Sequence, residues 1–434
     1  MSEAAITGLV LLFGLLVGIL GSVPIAVTIG IVTFLALALI IGPEKAALLA
    51  AQRSFAGVNS FALLAIPFFI LAGSLMNTGG IARRLVDAAL VLVGRMPGAL
   101  AQTNVVANAM FGSVSGAAVA AAAAVGGTVG PRMRKDGYDP AFVAAVNTAS
   151  APSGMLIPPS NTLIVYSLVS STSVAALFMA GYIPGLLWVA ACMIAVGLYA
   201  VRQKNIARQP RLPLGQSVKV VLDAVPSLFM IVVVIGGIII GWFTATESAA
   251  IAVVYCLVLG FLYRELKVKD LPGILLDSAK TTAIVMLLIA VSSSMSWVMS
   301  YSDIPTLLMN GISVMTETKW IVLLLITLIM LIVGTFMDPT PAILIFVPIF
   351  LPIVQAYDIS PIHFGMIMTF NLCLGTLTPP VGNVLFVGAR IGNQTIEQVT
   401  PRLVPFFVAL AAALLMVVYI PALSTWLPSI MGLM

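Results

Sequence analysis

Gly154-Met155-Leu156-Ile157-Pro158-Pro159-Ser160-Asn161-Thr162-Leu163-Ile164-Val165 and Gly375-Thr376-Leu377-Thr378-Pro379-Pro380-Val381-Gly382-Asn383-Val384-Leu385-Phe386-Val387 are two copies of one pattern. Each sets a Pro-Pro pair, small polar residues and an asparagine in the middle of an apolar run. Proline removes a backbone donor, clashes with the preceding turn and pushes the residue before it out of helical geometry. Both runs are therefore expected to be helices broken near their centres. Within a bilayer, such backbone is tolerated only where protein or a polar cavity satisfies the freed groups. Matched breaks in two halves of a chain point to a transporter's binding site.

Composition sets the class. Hydrophobic residues make up 61% of the 434 and charged residues only 8%, against about 25% charge in soluble domains. A chain of this kind is a polytopic membrane protein in a lipid bilayer. Its net charge of +5 bears on orientation and not on nucleic acid, since no basic stripe interleaved with aromatics occurs. Cys192, Cys256 and Cys373 lie in apolar runs without disulfide or metal-ligand spacing and read as small hydrophobes. The N-terminus lacks the basic region of a cleaved signal, so residues 8–21 read as a retained first span.

Apolar segments fall near 6–21, 24–42, 61–77, 138–170, 175–201, 221–242, 248–263, 281–301, 361–391 and 403–430. Most approach the ~20 residues needed to cross the hydrocarbon. Two further blocks, 98–128 and 319–356, are interrupted by Gly112-Ser113-Val114-Ser115-Gly116 and by Gly334-Thr335-Phe336-Met337-Asp338-Pro339. Arms of about 15 residues are short for a full crossing, so both blocks are expected to be re-entrant hairpins with tips near the midplane; the plainer alternative is one long kinked span apiece.

Arg132, Arg134 and Lys135, then Arg202, Lys204, Arg208, Arg211 and Lys219, then Arg264, Lys267 and Lys269 are separated by even numbers of crossings and can all be cytoplasmic. With 98–128 as a hairpin, Arg83, Arg84 and Arg95 join them. The opposite loops hold Asp303, Glu317, Lys319 and Asp358. The first hairpin then enters from inside and the second from outside. Gly375 minus Gly154 is 221, and so is Pro405 minus Pro184. An odd number of crossings between the copies makes them inverted repeats. The chain accordingly divides into N-terminal scaffold helices (1–60), a first repeat (61–200), a cytoplasmic loop with central scaffold helices (201–280) and a second repeat with a terminal helix (281–434).

Broken helices and hairpin tips expose unpaired carbonyls and amides. Carbonyl-rich ends with hydroxyls suit Na+, and N-terminal ends suit an anion. Ser113, Ser115, Ser150 and Gly154 form one candidate Na+ site; Gly334, Thr335, Asp338, Gly375 and Thr378 form its counterpart. Asp338 is the only charge between Trp320 and Leu351. An acid at that depth needs a cation or a proton, although an Asp before Pro is also a good N-cap. Ser160, Asn161 and Asn383 sit where the broken helices restart and offer hydroxyls and amides to substrate oxygens, or merely cap. Glu247 in Thr244-Ala245-Thr246-Glu247 matches a capping box. Arg390 reads as a cytoplasmic boundary. His363, the only histidine, offers neither triad nor metal cluster. The Ala-rich arm from Ala117 to Val125 reads as a smooth packing face. No phosphate-binding loop points to ATP, and nothing points to an enzyme.

Several stretches together make the chain resemble the large membrane subunit of tripartite ATP-independent periplasmic (TRAP) transporters. They are Ala65-Ile66-Pro67-Phe68-Phe69-Ile70-Leu71-Ala72-Gly73, Met76-Asn77-Thr78-Gly79-Gly80-Ile81, Val114-Ser115-Gly116, Ile157-Pro158-Pro159-Ser160, Ala245-Thr246-Glu247-Ser248-Ala249, Phe336-Met337-Asp338 and Leu377-Thr378-Pro379-Pro380-Val381-Gly382. The likeness covers nearly the whole chain. It implies an all-α, inverted-repeat fold of the ion-transporter superfamily, working by an elevator motion in the cytoplasmic (inner) membrane of bacteria or archaea. It also implies sodium-coupled import of small organic acids such as C4-dicarboxylates, sialic acid, other sugar acids or sulfonates. The implied partners are a small four-helix membrane subunit (Q type) and a periplasmic substrate-binding protein (P type). In the family, the residues matching Ser115, Ser160 and Asp338 belong to the ion and substrate region, so the expected substrate set is Ser115, Ser160, Asn161, Asp338 and Asn383. Members often carry a second serine where this chain has Ala117. An ion-only sodium antiporter and a passive scaffold or channel are the rival classes.

Overall fold

A computed structural model describes residues 3–21, 23–203, 213–316, 318–379 and 381–434. Lys204, Arg208, Arg211, Glu317 and Pro380, used above, lie outside them. The described residues are helical almost throughout, and eight helices are long and apolar enough to cross a membrane.

Both interrupted blocks are helical hairpins. The first consists of Ala99–Ser115 and Ala118–Lys135, the second of Lys319–Phe336 and Pro339–Ala356. The arms run to 17 or 18 residues, longer than the expected fifteen, because each tip spends only two residues outside helical structure. At the first tip Gly116 takes φ +61, where the left-handed region favours a residue without Cβ, and its N–H closes the helix onto the Gly112 carbonyl at 2.8 Å. At the second, Met337 and Asp338 are extended and Pro339 starts the new helix, where its missing N–H costs nothing.

Both Pro-Pro runs are breaks, differently built. The first broken helix comprises Pro140–Ser150, a single turn at Ser153–Leu156, an extended Ile157, the cis Pro158–Pro159 bond and then Asn161–Ser170. The second comprises Pro361–Gly375, a turn and then Asn383–Gly392. They run antiparallel. The Tyr166 hydroxyl donates to the Pro361 carbonyl at 2.6 Å, joining the end of one to the start of the other. At the opposite ends, a Cβ on Gly392 would lie 2.7 Å from that of Ala144, and one on Gly388 would lie 1.9 Å from Thr148 Oγ1. This is the inversion expected from the repeat.

Ion pairs gather the basic clusters on one face. Arg83 meets Glu265 at 2.8 Å, Arg132 meets Asp87 at 3.3 Å and Arg402 meets Asp139 at 2.7 Å, while Arg84 stacks on Tyr263. By the positive-inside rule that is the face expected to be cytoplasmic. Thr244 and Glu247 form the expected capping box.

Three helices were not legible as spans: Pro43–Val58, Ile81–Val93 and Ile304–Met315. The apolar stretch at 403–430 is two helices, Ile396–Tyr419 and Ala422–Ile430, parted at Ile420-Pro421 because proline cannot continue the ladder. The long Leu271–Tyr301 helix packs on Ile25–Ile41, Pro43–Val58 and Ala65–Thr78. The hairpins pack on the broken helices, Asn161–Ser170 on Pro339–Ala356 and Asn383–Gly392 on Ala118–Lys135.

Candidate functional site

Two glycine pairs dock the hairpins on the broken helices. A Cβ on Gly154 would fall 2.1 Å from Gly112 Cα, and one on Gly375 would fall 2.5 Å from Gly334 Cα. Only bare backbone allows such an approach. The contacts are the same contact twice, since 334 minus 112 is 222 and 375 minus 154 is 221. Beside the first, Ser113 Oγ donates back to the Met110 carbonyl at 2.9 Å, and Ser115 Oγ lies 3.5 Å from both the N and O of Ala117. The buried Ser115 backbone is also pressed by Gly73, whose Cβ would lie 3.0 Å from Ser115 Cα. Beside the second, Thr335 Oγ1 donates to Ile332 O at 2.7 Å, Thr378 Oγ1 donates to Leu374 O at 3.0 Å, and Gly382 N–H donates to the Thr335 carbonyl at 3.0 Å.

The tips then meet the restarting helices. A Cβ on Gly116 would lie 3.0 Å from Asn161 Nδ2. In the other half the Asn383 side chain lies beside that of Asp338. Again the partners correspond: 338 minus 116 and 383 minus 161 are both 222. Both asparagines keep a buried Oδ1 with no partner among the described residues. An amide oxygen is only an acceptor, so a cation or a donor hydroxyl completes it. Asp338 occupies an N-cap position but does not cap the helix with its side chain. The Asp338 side chain remains solvent-accessible although flanked by the buried Met337 and Pro339. Ser160, fully buried, does cap: its hydroxyl donates to the Met155 carbonyl and accepts from Leu163 N–H at 3.4 Å.

One feature was missed by sequence reasoning. Ser150 Oγ accepts from Asn108 Nδ2 at 2.8 Å and lies 3.2 Å from Asn104 Oδ1. Asn108 also donates to Asn147 Oδ1 at 3.1 Å, and Asn147 donates to the Ala122 carbonyl at 2.9 Å. This buried amide cluster ties both arms of the first hairpin to the first broken helix and engages the Ser150 hydroxyl. Asn104 and Asn108 are one helical turn apart, with Asn147 and Ser150 spaced likewise, and that spacing was the available signal. His363 Nδ1 pairs with Ser424 Oγ at 2.7 Å, pinning the last helix to the second broken helix. All three cysteines are buried and unbridged. Arg390 is exposed at the end of its helix.

Comparison with known proteins gives the family and the fold. Residues 12–423 match the model of the tripartite ATP-independent periplasmic transporter DctM component. The chain is 52% identical to the uncharacterized protein YgiK of Salmonella typhimurium over 97% of each chain. It is 38% identical to a C4-dicarboxylate TRAP transporter large permease protein of Pseudomonas aeruginosa, over 88% of this chain and 90% of that one. To the sialic acid TRAP transporter large permease protein of Vibrio cholerae it is 35% identical, over 92% and 93% respectively. In fold it is similar to the crystal structure of the Alcanivorax borkumensis YdaH transporter, with a TM-score of 0.59 at 13% identity over 87% of this chain and 88% of that one.

Proposed function

Because the chain belongs to the DctM-component family of TRAP transporters, we propose that it is the permease of a sodium-driven importer of small organic acid anions. It receives solute from a periplasmic binding protein and works beside a small four-helix membrane subunit. The observation that carries this reading is the matched pair of unpartnered amide oxygens, on Asn161 and Asn383, each where a broken helix restarts against a hairpin tip.

The interruptions supply carbonyls and hydroxyls for two Na+ ions, one at Ser113, Ser115, Ser150 and Gly154, the other at Gly334, Thr335, Asp338, Gly375 and Thr378. With Ser150 held by amides, the first set relies mainly on backbone carbonyls and Ser115. Substrate lies between Ser115 and Asn161 on one side and Asp338 and Asn383 on the other; Ser160, expected in this set, is fully buried and its hydroxyl is taken up in capping the helix that carries Asn161. An anion beside Asp338 is opposed by like charge, so loading is favourable only once Na+ neutralises that carboxylate. The coupling is then electrostatic: each ligand raises the affinity of the other. Hairpins and broken helices move as one elevator body against the long helices. Acids named for the relatives, C4-dicarboxylates and sialic acid, set the class of solute to try.

The test is uptake into proteoliposomes with the cognate binding protein, screened against organic acids. The reading requires saturable, concentrative uptake under an inward Na+ gradient. Sodium flux without solute or binding protein would support an antiporter, and uptake that only equilibrates would support a channel.

A further inference from the structure

Outward of the site just described, a cavity of about 310 Å³ lies beside the contact of the Leu271–Tyr301 helix with Pro339–Ala356, lined also from Asn161–Ser170. Ser60, Ser292 and Ser296 line one wall; Val165, Leu168 and Leu344 line the other. Leu271–Tyr301 starts beside Lys267 and Lys269, so Ser292 and Ser296 lie in its far third, away from the cytoplasmic face. Leu168 is seven residues beyond Asn161 on the same helix, a rise of ~10 Å. A solute descending from the outer face would therefore meet this cavity before the hairpin tips.

Its chemistry is two-faced. Ser292 is 1% exposed and its hydroxyl has no hydrogen-bond partner among the described residues, a want that a ligand oxygen reaching it would meet. The facing wall is aliphatic. Among the described residues no charged side chain lines the cavity, so burying two carboxylates there would be costly. The volume equals about ten waters at ~30 Å³ each and sits at the lower end of small-molecule sites, ~300–1,000 Å³.

The geometry points to a second solute site here, a way-station for a hydroxylated monocarboxylate. Its hydroxyls pair with the serines, its carbon face lies on Val165, Leu168 and Leu344, and its single carboxylate stays at the open side. This rests on the importer reading and narrows it toward sugar acids. The glycerol region of a lipid presents the same oxygen-rich chemistry and is the competing source.

Ser296→Cys in the reconstituted full-length permease tests it, because the native thiols are buried. A polar methanethiosulfonate reagent reads access to the cavity, with gluconate and succinate as probes. At ten times its apparent Kd, gluconate should slow labelling about tenfold, from 1 + [L]/Kd, while succinate leaves the rate unchanged. The same protection is expected with Asp338→Asn, which separates this site from the one at the tips and from transport itself. Adding Ser292→Leu should fill the cavity and abolish protection by gluconate. Absence of protection, its loss with Asp338→Asn, its persistence with Ser292→Leu, or labelling governed by added phosphatidylglycerol in place of gluconate would each overturn the proposal.

Discussion

In the first half of the chain the hairpin tip facing Asn161 is Gly116; in the second, 222 residues on, the tip facing Asn383 is Asp338. Behind the tips the contrast reverses. Asn104, Asn108, Asn147 and Ser150 form a buried polar cluster in the first half. At the matching offsets of 221 and 222 the second half has Ile326, Met330, Met368 and Asn371. The docking contact itself, glycine on glycine, is common to both. One backbone architecture thus carries two chemistries. The first half has a neutral tip on a cluster of several hydrogen-bonded side chains, and the second has an acidic, accessible tip on a mainly apolar support held by one amide, Asn371, which donates to the Thr327 carbonyl at 2.6 Å. The shared contact is what shapes the site, and the differing side chains divide rigidity from charge between the halves.

The shared contact should be the least forgiving. Gly154→Ala sets a Cβ 2.1 Å from backbone that cannot yield, beyond the ~1–3 kcal/mol usual for overpacking. Loss of the monodisperse peak on size-exclusion chromatography is expected, and Gly375→Ala should behave alike. Normal melting of both would mean that the halves are not docked through glycine. Next comes the charge. Asp338→Asn should reduce sodium-driven uptake to that of empty liposomes while the protein still folds; uptake at the wild-type rate removes Asp338 from the site. Ser115→Ala deletes one hydroxyl from the neutral tip. At ~0.5–1.5 kcal/mol for such a ligand, the sodium midpoint should shift about two- to tenfold, and an unmoved midpoint argues against Ser115 as a ligand.

The supports differ in a way that thermal melting reads. Asn108→Leu leaves buried Asn147 and Ser150 short of a partner, costing ~1–3 kcal/mol. Met330→Leu at the matching position is a volume-conserving swap costing under ~1.5 kcal/mol. Equal effects would erase the contrast between the halves. The smallest change lies outside both: Thr244→Ala removes one half of a capping box, ~1 kcal/mol.

Much of this was legible in sequence because proline and glycine report backbone geometry directly. The Pro-Pro runs, Gly116 and Asp338-Pro339 mark the breaks and tips by what those residues cannot do in a helix. The repeat offset then paired them. Pro43–Val58 and Ile81–Val93 escaped because charged residues break up their apolar stripes: Glu44, Lys45 and Arg53 in one, Arg83, Arg84 and Asp87 in the other. The amide cluster escaped for a different reason. Asn104 and Asn108, a turn apart, show that a polar face needs partners but not which ones, and Asn147 and Ser150 lie on an element more than thirty residues away.

Hydrogen exchange of the reconstituted permease in sodium against choline buffer tests the central claim without a substrate. Cation binding at the interruptions should slow amide exchange at 112–117 with 153–161, and at 334–339 with 375–383, leaving the distant helices unchanged. Identical exchange at those four segments in the two buffers would contradict the account.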